Sequence, residues 1–152
     1  DLVEEYRLIG FENRDIDDAD FRNDEVDAGE VNAGHSVTAL YEVGLARKAY
    51  RSDESFATVS VRWTDPETNR VEEISGEVSS QVLSGRFSGT VPEFQVVATV
   101  AAYAEVLRDS RYIEVGIGDV LDEALGLPTR ELDDPAVDEF IDLLERAVRL
   151  AA

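Results

Sequence analysis

An α+β fold is predicted by the place where the hydrophobic period changes. Up to about residue 90, apolar residues alternate in short runs, FATVSVRW being the clearest, and turn-forming clusters such as TDPETN separate them. Beyond Thr90 the apolar spacing lengthens to about 3.6 residues and keeps that period towards the C-terminus. Strands first and helices afterwards imply an antiparallel, sandwich-like sheet in the N-terminal two thirds. That sheet is expected to pack against two main C-terminal helices and one short helix. The 152 residues are read as a single domain, and a start at Asp1 without Met as a fragment of a longer chain.

The first strand is placed at about residues 6–12, where Tyr6 and Leu8 share one face and Arg7, Ile9 and Phe11 the other. Both faces carry apolar groups, so it reads as an interior strand, with Gly10 marking a bulge or a close backbone approach. The second strand, at about 36–43, sets Val37, Ala39, Tyr41 and Val43 on one side. Strands at about 56–63 and 71–78 form a hairpin around TDPETN, with Ala57, Val59, Val61 and Trp63 turned inward. QVLSGRF reads equally as a further short strand or as the lead into the helices.

The first helix is expected at about 92–108, with Thr90 as N-cap, Pro92 in the tolerant first turn and Glu93 at the capping-box position. Its apolar stripe, from Phe94 through Val97, Ala101 and Leu107, is wide enough to bury more than half its circumference. A short helix at about 119–125 would close on Gly126 in the left-handed conformation. The last, at about 135–150, begins with Asp134 as N-cap and Pro135 at the first helical position. Its buried stripe is Val137, Phe140, Ile141, Leu144 and Val148.

Charge narrows the function classes. Thirty-four acids oppose fourteen bases, a formal net charge of −20. Nucleic acid is disfavoured as a partner because phosphate binding needs a basic footprint, and an anionic bilayer is equally unattractive. Basic protein patches, multivalent cations or a salty medium suit such a surface. Only Lys48 is a lysine, against thirteen arginines, a ratio that points to salt adaptation or to genome composition. Cysteine is absent, which removes disulfides and thiolate chemistry. No run of about 18 apolar residues suggests a membrane span.

Between the first two strands lies a stretch too polar to pack. Asp15, Asp17, Asp18, Asp20, Asp24, Glu25, Asp27 and Glu30 face a single base, Arg22, and His35 follows at the start of the second strand. This excursion is the candidate site. An EF-hand register beginning at Asp15 fails, since it puts Ala19 at the fifth position, Asp20 where glycine is required and Val26 at the twelfth. A calcium site of irregular spacing is therefore the alternative form of the cation reading. Glu30 and His35 could act as a general base pair in a hydrolase, although no serine or second carboxylate is visibly placed to join them. No phosphate-binding glycine loop, HExxH pair or GxSxG elbow occurs, and GIGD at Gly116–Asp119 is too short for a dinucleotide fingerprint.

YRLIGFENR, followed by DFRNDEVDAGEVNAGHSVTALYEV, resembles the start of the domain that lies C-terminal to a von Willebrand factor type A domain in bacterial proteins. VRWTDPET resembles that family's next strand and turn, and FQVVATVAAYAEVLRDSRY its apolar helix. The resemblance implies a secreted, cell-surface or lipoprotein parent, hence an extracytoplasmic location. It also implies an upstream type A domain that carries Mg²⁺ or Ca²⁺ at an adhesion site. That site needs a DxSxS segment, which is absent here, so no metal role and no cofactor are carried over. The family's C-terminal domain brings no established catalytic residues, and the acidic load of this chain, as at Asp17, Asp18 and Glu25, is heavier than the family pattern.

The expected function is a non-catalytic accessory or protein-interaction domain. Asp15, Asp17, Asp18, Asp20, Asp24, Asp27, Glu30 and His35 would form its surface. The partner would be the type A domain of the same chain or a separate protein ligand, with no nucleic acid and no membrane insertion. The alternatives are a divalent-cation module using residues 15–30 and a hydrolase using His35 with Glu30.

Overall fold

The computed structural model describes residues 2–10, 16–26, 29, 31–32, 34–83 and 85–151. The α+β class stands, with strands in the N-terminal part and helices after residue 90. Four strands are described: β1 (Val3–Leu8), β2 (Tyr41–Leu45), β3 (Ser55–Thr64) and β4 (Val71–Ser79). They pair as two antiparallel ribbons, β1 with β2 and β3 with β4. Helices α1 (Pro92–Leu107), α2 (Ile117–Leu125), α3 (Thr129–Leu132) and α4 (Pro135–Ala151) follow. The chain divides into a strand unit, Asp1–Arg7 with Tyr41–Gly85, and a helical unit, Leu8–Leu40 with Arg86–Ala152.

In the strand unit, β1 and β2 are tied by the Arg7 Nε–Glu42 Oε2 ion pair at 2.7 Å and by the Ala46 N–H donating to the Leu2 carbonyl at 3.0 Å. The strands approach closely at Gly44, where a Cβ would lie 2.9 Å from Glu5 Cγ and force that side chain to shift. β1 starts earlier than the alternation suggests and ends at Leu8. The reason is Gly10, whose φ of +76° bends the chain out of the extended conformation. β2 begins only at Tyr41, and residues 36–40 lie outside any strand.

β3 and β4 form the longest ribbon, in a register that sets Val59 against Gly76, Val61 against Ile74 and Trp63 against Glu72. An irregularity sits between Ser55 and Ala57. The connecting turn is built on Asp65. Its Oδ1 accepts from the Thr68 N–H at 2.7 Å and the Glu67 N–H at 2.9 Å, and Asn69 closes the turn at φ 53°. These donors hold the Asp65 carboxyl below its ordinary range. Hydrogen bonds from Thr68 are the largest cause and the Glu67 N–H a smaller one, against a slight desolvation in the other direction. Between β4 and α1, the described residues of QVLSGRF form neither a strand nor an α-helix. Ser80–Val82 and Phe87–Gly89 are 3₁₀ turns.

The helical unit has its own core of Val120, Ala124, Leu127, Val137 and Leu144. Val96, Ala102, Tyr103 and Val106 from α1 and Phe140 and Ile141 from α4 close over it. Tyr103 and Phe140 meet edge-to-face with centroids 5.8 Å apart, a favoured geometry for aromatic pairs. The α2 start is fixed by Asp119 Oδ2, which accepts from the Gly116 N–H at 2.8 Å. Asp134 Oδ1 accepts from the Ala136 N–H at 2.9 Å at the head of α4.

Three local expectations are corrected. Val91, not Thr90, occupies the N-cap of α1, because the Thr90 hydroxyl donates to the Phe87 carbonyl at 2.7 Å and closes the preceding turn instead. Gly126 has φ −84° and is not left-handed; the left-handed stop falls later, at Asp133 (φ 45°), after the short helix α3. The most deeply buried residues of α1 are polar. Gln95, Thr99 and Glu105 are covered, while Phe94, Val100 and Leu107 are exposed.

Each of those buried polar groups is satisfied. Gln95 Nε2 donates to the Thr90 carbonyl at 2.8 Å, and the Thr99 hydroxyl donates back to Gln95 at 2.8 Å. Glu105 receives the Ser110 hydroxyl at 2.7 Å and the Arg108 guanidinium at 2.6 Å. Hydrophobicity alone leaves these three polar residues outside, because their hydrogen bonds do not show in the periodicity, whereas Val96, Tyr103 and Val106 of the expected stripe do pack on the core.

Candidate functional site

The acidic excursion lies in the helical unit and is partly described. Asp15, Asp27 and Glu30 lie outside the described residues, so the proposed Glu30–His35 pair lies outside them too. Asp18–Asp20 form a 3₁₀ turn, the Asp20 N–H donating to the Asp17 carbonyl at 2.7 Å. Asn23 then organises the next step. Its Nδ2 donates to Asp20 Oδ1 at 3.2 Å, while its own Oδ1 accepts from the Glu25 N–H at 3.1 Å. The Val26 N–H completes a second turn on the Asn23 carbonyl at 3.2 Å. The stretch is thus shaped by short-range backbone and amide contacts of the kind that Asp and Asn make in turns.

Within this frame Asp17, Asp24 and Glu25 are exposed and Asp20 is half-buried. Arg22 lies with its guanidinium carbon 5.8 Å from the Phe21 ring centroid, a cation–π distance. Among the described residues, no group of three or more His, Asp or Glu side chains is gathered as metal ligands. His35 is exposed, and its backbone N–H donates to the Asn32 carbonyl at 3.0 Å. Gly34 just before it has φ +82°, so this turn needs glycine for its conformation. His35 therefore closes a turn and does not begin a strand.

Two surfaces of the strand unit escaped the sequence reading. Arg47, Lys48 and Arg51 are all exposed within five residues, beside the exposed Tyr50, on a turn anchored by buried Ala49. Their clustering in RKAYR was visible, but the segment read as a plain connection. The other is the face of β3 expected to point inward, where Val59, Val61 and Trp63 are exposed. Alternation identifies that face as apolar without saying what covers it.

Charge is unevenly shared. The helical unit carries 23 acids against 8 bases, and the strand unit 11 against 6. Among the described residues, no helix is long and apolar enough to cross a membrane. What the described geometry offers is an exposed anionic segment, Asp17, Asp24 and Glu25 carried on short turns around Asn23.

The uncharacterised protein YfbK of Escherichia coli K12 is 32% identical over 130 residues, which span 73% of this chain and 21% of that protein. The chain thus spans about one fifth of the length of this curated relative. No solved structure matches the chain. The family model for the C-terminal region of YfbK, described as an uncharacterised protein, matches residues 1–150, and the chain belongs to that family.

Proposed function

We propose that this region is a non-catalytic interaction domain, serving as an accessory to a type A adhesion module of the same polypeptide. The observation that supports this most directly is the ordered display of Asp17, Asp24 and Glu25 on the turns around Asn23. Membership of a family defined as a C-terminal region fits a domain that works beside other parts of a longer chain. An upstream type A domain and an extracytoplasmic location belong to the same proposal, resting on the resemblance of YRLIGFENR and DFRNDEVDAGEVNAGHSVTALYEV.

Under this reading Asp17, Asp24 and Glu25 steer a basic surface onto the segment, raising its encounter rate and selecting against acidic partners. The test is calorimetric titration of the chain with the type A portion of its own polypeptide. Asp17→Asn, Asp24→Asn and Glu25→Gln combined should weaken binding about tenfold or more and flatten its salt dependence. Binding unchanged by the triple substitution overturns the assignment of this surface. Divalent-cation and hydrolase readings have no such ordered support in the described residues.

A further inference from the structure

We draw no further inference here: the strongest candidate, the apolar surface patch of Val59, Val61, Trp63 and Ile74 on the β3–β4 hairpin, carries nothing because nothing in the structure shows what covers it.

Discussion

Leu144→Ala should remove a large share of the stability of the helical unit. Leu144 lies on α4 with no exposed surface, inside a core whose other buried members are Val120, Ala124, Leu127 and Val137. Deleting a buried leucine side chain loses its transfer free energy and leaves a cavity, together about 3–5 kcal/mol where the surroundings relax little. Relaxation is restricted here, because α2 and α4 both contribute to the same small cluster. Against a total of roughly 5–15 kcal/mol for an ordinary domain, such a loss brings the unit close to its threshold.

Ile74→Ala is the matched control, since a comparable side chain is 61% exposed on β4 and its truncation in this chain alone should cost about 0.5 kcal/mol or less. The assay is urea unfolding followed by the far-ultraviolet helical signal, with the midpoint shift multiplied by a common slope. A Leu144→Ala loss below about 1 kcal/mol, or losses of equal size for the two variants, would refute the assignment of the core.

Three further outcomes follow from the charge and turn geometry. Melting temperature should rise as NaCl goes from about 0.1 M to 1 M, since the Debye length falls from ~10 Å to ~3 Å and relieves repulsion within a chain of net charge −20; a flat or falling series contradicts this. Calcium at about 5 mM should shift the melting temperature no more than NaCl of equal ionic strength. A saturable, larger shift would instead establish the cation-module reading. Asp65 should titrate below the ordinary 3.8 in a carboxyl NMR titration. Because its folded value is depressed, its contribution to stability is fully present above the unfolded pKa and disappears as pH falls through the folded value. A midpoint at or above the ordinary value counts against the turn.

The parts of the fold most legible in the sequence were those governed by local chemistry. The Asp65 turn, Pro135 after Asp134 and the 3.6 period of α4 each announce their element through a short-range rule. The edges of β1 and β2 were less legible, since Gly10 at positive φ ends one strand inside a run of residues that still alternates. α1 misled for another reason. Its apolar residues spread around most of its circumference, and the burial of Gln95, Thr99 and Glu105, each satisfied by hydrogen bonds given or accepted, is something no period reveals.

The candidate site divides in the same way. The acidity of Asp17, Asp20 and Asp24 was plain in the sequence, while the role of Asn23 as the residue that folds them into turns was not. One signal for it existed, an Asn three residues after an Asp and followed by Asp-Glu, in the spacing that side-chain turns favour. The open face of β3–β4 was half legible. Alternation marked Val59, Val61 and Trp63 as a set, and only the structure showed them without cover.

The proposed role in contacting the rest of a longer polypeptide is tested most directly by amide hydrogen exchange. The full-length polypeptide and the 152-residue chain are compared peptide by peptide under one buffer. The account predicts slower exchange in the full-length molecule over Asp17–Val26, with α2 and α4 unchanged. Superimposable exchange across Asp17–Val26 would contradict it.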